Sequence, residues 1–369
     1  MGLIFNRRRK RSRARRKRTS VVSNLPLIRW VGPSLTTIGL LVGAFFVLTG
    51  RIDLPALDRL SSDDGSGSLV IQPVNLEQLG PKSNDTIRIA TFNIQAFDEK
   101  KSTSRDVNGV DILGMIAKVV SNFDLVAIQE VRGNDAMAIQ RLIDLINASG
   151  GNYTATVSEP IGRTSQTKRY AFVWDRSRIM MVPDSAYVVQ DPGDRMHREP
   201  MVASFQTRMV PTDGRMPFSF TLINVHTDPD EVTDAATSNE INVLDDVFVR
   251  VRQYEYESSG EDDFIMLGDL NVDSSGLGEL LEIPNLITIA GDLPTNTRRT
   301  QTYDHILIDR NMTREFTGRF GVYDLMHELG LSEAQALLIS DHLPVWAEFT
   351  AYEVPLGSAV AAADANPLR

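Results

Sequence analysis

Short apolar runs recur along most of this chain, and their spacing places its elements. Ile87–Ile94, Leu125–Val131, Tyr153–Val157, Tyr170–Trp174, Val202–Phe205, Phe218–Val225, Phe264–Leu267, Tyr303–Ile308 and Val345–Phe349 are rich in β-branched and aromatic residues. They are predicted strands. Ile112–Val120, Ala136–Ile146 and Ile241–Tyr254 change to a helical period; in the last, Ile241, Leu244, Val247, Phe248 and Val251 keep to one face. Many strands with few intervening helices predict layered sheets flanked by helices, in one domain. No internal repeat of fixed period is present.

One apolar run differs in kind. Trp30 to Thr49 carries no charge over twenty residues and is densest from Ile38 to Leu48. That length can just span a hydrocarbon layer of ~30 Å. Before it, Arg7 to Arg18 hold ten Arg or Lys and no acid, and the first acidic residue of the chain is Asp53. A basic flank stays cytoplasmic, which sends everything after Arg51 to the far side; it also binds anionic lipid. The expectation is a basic cytoplasmic tail over 1–29 and a single-pass membrane anchor over 30–50, with the body extracytoplasmic. A cleaved signal peptide, giving a secreted body, is the alternative; the long basic segment and the lack of an A-x-A site around Val47–Arg51 weigh against it.

Composition then divides the rest. Ten basic residues in Arg7–Arg18, with Arg29 and Arg51, leave 26 of the 38 Lys and Arg beyond residue 51, against all 48 acids, a net charge of −22. Ser61 to Ser68 has linker composition, so 51–85 is expected to be a flexible stalk, 86–352 the folded domain and 353–369 a disordered tail. There is no cysteine, which removes disulfides and thiol chemistry. A body of this size has enough residues for a core of its own.

Candidate chemistry sits at the ends of the predicted strands. Phe264–Leu267 delivers Gly268-Asp269-Leu270-Asn271, with an aspartate and an asparagine two residues apart. On an extended strand those two point to the same side. The pattern recurs in Ala90-Thr91-Phe92-Asn93, Ile128-Gln129-Glu130-Val131, Asn224-Val225-His226, Tyr303-Asp304 and Ser340-Asp341-His342. Hard oxygen ligands with proton carriers equip a site for metal-assisted cleavage of phosphate esters. A lone Asp-x-Asn is more often a turn; it is the recurrence that gives the pattern weight.

These segments, with Val157-Ser158-Glu159-Pro160-Ile161-Gly162-Arg163, Arg198-Glu199-Pro200 and Ile339 to Pro344, resemble the endonuclease/exonuclease/phosphatase superfamily, within it most closely the deoxyribonuclease I branch. The resemblance runs from Ile87 to Phe349. It implies an α/β four-layer sandwich, two packed β-sheets flanked by helices, here preceded by the N-terminal span. Mg²⁺ prefers carboxylates with retained waters and substrate phosphate, so Glu130 with Asn93 is the expected metal site, and the resemblance adds Asp341. Mn²⁺ is the alternative ion. Asp269 and Asn271 match the family's second cluster, on another ion or the phosphate itself. His342 is expected to help activate water, oriented by Asp304, and His226 to serve the leaving oxygen. Arg132, Arg163 and Arg198 resemble DNA-backbone contacts. His197, His305 and His327 match no family role. Asp292, Thr295 and Thr297 resemble a structural calcium loop only loosely and are read as a plain turn.

Two positions depart from the branch. Gln166 stands where the pattern has a groove-binding tyrosine, and Lys168 where it has a glutamate behind the first histidine. A cation there lowers the pKa of His226, unless Asp228 or Asp230 supports that ring instead. The expected substrate is DNA, cleaved by an anchored endonuclease. A phosphoesterase acting on lipid headgroups or small phosphates, and a non-catalytic binding module, are the other readings. Nothing in the sequence points to a protein partner.

Overall fold

The computed structural model describes residues 79–355, apart from 107, 134–136, 164–166, 213 and 234–238. The basic tail, the anchor at 30–50, most of the stalk, Gln166 and residues 356–369 lie outside the described residues. Among the described residues no helix is long and apolar enough to cross a membrane.

Two mixed sheets form the body. The first contains β1 (Thr86–Phe97), β2 (Leu125–Val131), β3 (Tyr153–Val157), β4 (Arg169–Asp175), β12 (Phe316–Val322) and β13 (Val345–Thr350), in the order β12-β13-β1-β2-β4-β3. The second contains β5 (Ile179–Met181), β7 (Met201–Thr207), β8 (Ser219–His226), β9 (Phe264–Asp269), β10 (Leu286–Thr288) and β11 (Asp304–Asp309), in the order β10-β11-β9-β8-β7-β5, with β6 (Tyr187–Val188) also on β7. Each sheet is built around one parallel pair, β1 with β2 and β8 with β9, flanked by antiparallel neighbours. The two sheets thus share one pairing pattern although the sequence has no repeat.

Period-two alternation decides what each strand buries. Ile87 and Ile89 of β1 and Ile265 and Leu267 of β9 enter a shared core between the sheets. Ala90, Phe92 and Ile94 face outward onto α2 (Ile112–Val120), α3 (Met137–Ala148) and α6 (Glu333–Ile339). Phe264 and Met266 face α4 (Ile241–Ser259) and the 3₁₀ turn Gly278–Glu282. The central strands are buried on both faces, which is why they read as unbroken apolar runs. This is the expected sandwich of two packed sheets with helices outside.

Differences from the sequence expectation cluster where local signals are weak. β12 was not predicted; it carries Gly318 and Gly321, is mostly half-buried and has an irregular register against β13. α1 (Glu99–Thr103) and α5 (Leu325–Leu329) have five residues each, too few for a period to show. Residues assigned to the stalk are docked: Leu79 is buried, and Lys82 pairs with Asp124 at 3.2 Å. At the other end Glu353, assigned to the tail, exchanges hydrogen bonds with Ser219 and Met216.

Candidate active site at the seam between the sheets

The two central parallel pairs end together, and side chains tie them across the seam. Asn93 Nδ2 at the end of β1 donates to Asp269 Oδ2 of β9 at 2.8 Å. Gln129 Nε2 of β2 donates to Asn224 Oδ1 of β8 at 2.7 Å. Carboxyl ends of parallel strands are where open α/β sheets bind ligands.

Register places the first group of residues. His226 is opposite Asp269 across β8 and β9, and Asp269 is opposite Asp304 across β9 and β11. Three adjacent strands therefore present His226, Asp269 and Asp304 in a row, about 4.8 Å apart per strand. Gly268 makes this possible: its φ is +151°, and a Cβ there would lie 1.9 Å from the Val225 carbonyl oxygen.

Around that row the hydrogen bonds converge. Asp304 Oδ2 accepts from His342 Nδ1 at 2.8 Å and from Thr295 Oγ1 at 2.8 Å. His342 Nε2 then lies 3.6 Å from Asp269 Oδ2, and His226 Nε2 lies 3.5 Å from the same oxygen. One carboxylate oxygen thus gathers Asn93 and both imidazoles. Ser340 holds the His342 loop in place, donating to the Asn93 carbonyl at 2.6 Å and accepting from the His342 N–H at 3.0 Å. Asn271 has φ +55°, and its Nδ2 donates to the Thr227 carbonyl at 3.1 Å. That carbonyl bond stabilises the turn beneath Asp269.

The two histidines are driven apart electrically. His226 is fully enclosed; burial lowers its pKa well below the ordinary imidazole value, and Arg198 and Lys168 push the same way. It is the neutral partner. Burial also opposes charge on His342, but Asp304 and Asp269 outweigh it and raise its pKa to about 10. Burial lifts Asp269 to about 6, with His342 opposing and Asp304 adding to the rise.

Glu130 is set by a bulge. The pairing of β2 shifts between Ile128 and Val131, and Glu130 takes a φ of +62°, re-aiming its side chain out of the ladder. Its Oε2 accepts the Ala96 N–H at 2.9 Å and contacts Arg132 at 3.0 Å, while its Oε1 contacts Lys168 Nζ at 2.6 Å. Burial works against its charge, but Lys168 and these neighbours hold its pKa at about 2. Oε1 lies 4.0 Å from His226 Nε2.

Asn93 Oδ1 and Asp341 Oδ1 are buried with no hydrogen-bond partner among the described residues. Asp341 Oδ2 accepts from Gln95 at 2.9 Å. With Glu130, these supply hard oxygens of the kind Mg²⁺ or Mn²⁺ takes, so the residues present fit a divalent ion. Asp269, Asp304 and His342 also offer ligand atoms within 4.8 Å of one another.

The arginines behave differently from expectation. Arg198 is 6% exposed and donates to the His226 and Thr227 carbonyls at 3.1 and 2.8 Å, so it braces the end of β8 from behind. Arg163 is tied to Asp194 and Glu231 at 2.8 and 2.9 Å. Arg132 is the most open of the three. Asp228 does not support His226; it lies 3.6 Å from His197 and from Arg198, and His226 Nδ1 has no partner among the described residues. Thr295 and Thr297 donate their hydroxyls to Asp304 and the Ser340 carbonyl.

Sequence reasoning missed Lys101. Its ammonium reaches the Gln95 and Ile339 carbonyls, and burial lowers its pKa to about 8 despite the pull of Asp341 and Glu130. A lysine in a polar five-residue helix carries no signal of such a position.

Comparison with known proteins places this geometry. The profile of the Endonuclease/Exonuclease/phosphatase family matches residues 90–342. Deoxyribonuclease-1 of Bos taurus is 29% identical over 295 residues, covering 75% of this chain and 95% of that protein. Deoxyribonuclease-1-like 1 of Chlorocebus aethiops is 30% identical over 269 residues, covering 70% and 84%. Deoxyribonuclease-1 of Sus scrofa is 30% identical over 282 residues, covering 70% and 90%.

Proposed function

The chain belongs to the endonuclease/exonuclease/phosphatase family, and on that footing we propose that it is a divalent-metal-dependent endonuclease that hydrolyses DNA phosphodiesters. The observation that carries this reading is the convergence of Asn93, His226 and His342 on one oxygen of Asp269, beside Glu130. The relatives whose names describe deoxyribonucleases match over most of their own length, which favours DNA over other phosphodiesters.

A Mg²⁺ ion held by Glu130, Asn93 and Asp341 would relieve negative charge on the phosphoryl oxygens, with Mn²⁺ as a substitute. The chain's own residues do the rest. His226, kept neutral, is the better base for the attacking water; His342, kept protonated, is the better acid for the leaving oxygen. This exchanges the roles expected from the sequence, because Lys168 stands where the family pattern implied a carboxylate and Arg198 adds a second positive charge behind His226. Asp304 orients the His342 ring and favours its charged form, and Asp269 holds both rings against one phosphate. Arg132 is the arginine we assign to the DNA backbone, with Arg163 and Arg198 acting on loop and strand geometry.

One observation favours a second reading. Arg132, Arg163 and Arg198 are each paired with an acid or a carbonyl, and the body carries a large negative charge, which is unfavourable to a polyanion; a phosphoesterase for lipid headgroups or small phosphates needs less. The uncharged run 30–50 behind the basic tail supports a single-pass anchor with the catalytic domain, 86–352, outside the cytoplasm. The deciding experiment incubates the full chain in detergent with Mg²⁺ and supercoiled plasmid, with His342→Ala as control. Nicking lost in the variant supports the nuclease. Headgroup or phosphate release from vesicles without nicking supports the second reading, and a folded protein inert on both would sink the two together.

A further inference from the structure

The far end of β9 holds a second concentration of carboxylates, unconnected with the seam. Asp263 precedes β9 and Asp269 ends it, so roughly 20 Å of extended strand separates the two. Three segments meet at this far end. The Thr221 N–H donates to the Asp263 carbonyl at 2.8 Å, and the Thr350 N–H donates to the Glu315 carbonyl at 2.7 Å. Glu353 Oε1 accepts the Ser219 N–H at 2.8 Å, and Glu315 Oε1 accepts the Val354 N–H at 2.6 Å. One carboxylate oxygen from each of Asp263, Glu315 and Glu353 lies within 4.8 Å of the others, and Asp263 groups in the same way with Glu261 and Asp262.

Among the described residues, the buried oxygens Asp263 Oδ1, Glu315 Oε2 and Thr313 Oγ1 find polar company only within the cluster, with Thr313 and Glu315 both set against the Asp263 carboxyl. Asp263, Thr313 and Glu315 are 3%, 1% and 1% exposed. Among the described residues, no Lys, Arg or His forms an ion pair with any of the five acids. Carboxylates taken out of water without a counter-charge are costly, and they are relieved either by protons or by a bound cation. An adjoining pocket of about 260 Å³ has Glu261, Asp262 and Glu353 on its wall.

We propose that Asp263, Glu315, Glu353 and the Thr313 hydroxyl form a structural site for a hard divalent cation, which fastens the segment after β13 to the start of β9. The donors are all oxygen, with neither imidazole nor thiolate, which selects against zinc and copper. Their irregular arrangement on three separate segments suits Ca²⁺, which accepts six to eight oxygens in flexible geometry, better than the octahedral Mg²⁺. The site is independent of the catalytic reading, since none of its residues approaches the seam.

The test is Ca²⁺ titration calorimetry and thermal unfolding on the full chain after EDTA, with Glu315→Gln and Glu353→Gln alongside. Any Ca²⁺ bound at the seam is common to all three proteins, so the difference isolates this site. Wild type should bind one more Ca²⁺ than either variant. Its Tm should rise by about 5 °C at a hundredfold excess over Kd, and the half-exposed Glu353→Gln should lose that rise while remaining folded. If Glu315→Gln does not fold, Glu353→Gln decides alone. Equal Ca²⁺ stoichiometry in wild type and Glu353→Gln would overturn the proposal. So would a wild-type Tm that falls with rising pH and ignores Ca²⁺, because the cluster would then be relieved by protons.

Discussion

Lys168 meets Glu130 through an ammonium–carboxylate contact of 2.6 Å, on the carboxylate that also lies 4.0 Å from His226. The family pattern has an acid at this position, so the contact inverts the local charge. An internal cation competes with an external one for the same oxygens. Lys168→Ala should therefore tighten Mg²⁺ binding roughly tenfold, about 1.4 kcal/mol, as measured by titration calorimetry independently of turnover. Unchanged or weaker binding would show that Glu130 is not contested by the lysine.

Asp304 accepts from His342 Nδ1 and is itself held by Thr295. Asp304→Asn preserves shape but removes a charge that keeps His342 protonated and oriented. It should lower kcat for plasmid nicking by ~10²–10⁴-fold with little change in Tm. Thr295→Val should cost roughly tenfold by loosening Asp304, without removing its charge. Equal losses in the two variants would mean that Thr295 does more than position.

The pH profile should be set by Asp269 and His342. Asp269 must be ionised to hold both rings; it gains a proton as pH falls through about 6, so kcat/KM should fall on the acid side there. His342 must be protonated to donate, and it keeps its proton until about 10, so activity should hold to high pH and then decline. His226 is already neutral across this range because its pKa is depressed, and contributes no limb near its ordinary value. An acid limb that moves in His226→Gln would reassign the titrating group.

Gly268 has no room for a side chain, since a Cβ would meet the Val225 carbonyl oxygen at 1.9 Å in a backbone conformation that L residues avoid. Gly268→Ala must push β8 and β9 apart or break their pairing. The loss should be at least ~3 kcal/mol, seen by denaturant unfolding, with Asp269 and His226 misaligned and nicking abolished. Wild-type stability in this variant would mean that the strands separate more easily than their register implies.

Much of this was legible in the amino-acid sequence because the central strands are buried on both faces. Phe264 to Leu267 and Leu125 to Val131 each fill two cores at once, and such runs tolerate few polar residues until the site begins. Asn93, Glu130, His226 and Asp269 were visible as polar residues ending those runs. What was not legible depended on contacts far apart in the chain. The occupation of Arg198 by two carbonyls, the service of Thr295 to Asp304 and the proximity of Lys101 to Asp341 arise from segments whose local patterns are those of loops and short helices. β12 was lost for a related reason: Gly318 and Gly321 interrupt its alternation, and pairing with β13 supplies what its own sequence does not.

The hydrogen bonds from Asn93 to Asp269 and from Gln129 to Asn224 are also the rivets between two halves of the molecule. Each half brings an incomplete set of reactive groups, so turnover measures how well the halves are aligned. Under mild denaturant or heat, cleavage should disappear while circular dichroism still reports intact strands, and a crosslink across the seam should protect activity more than it protects secondary structure.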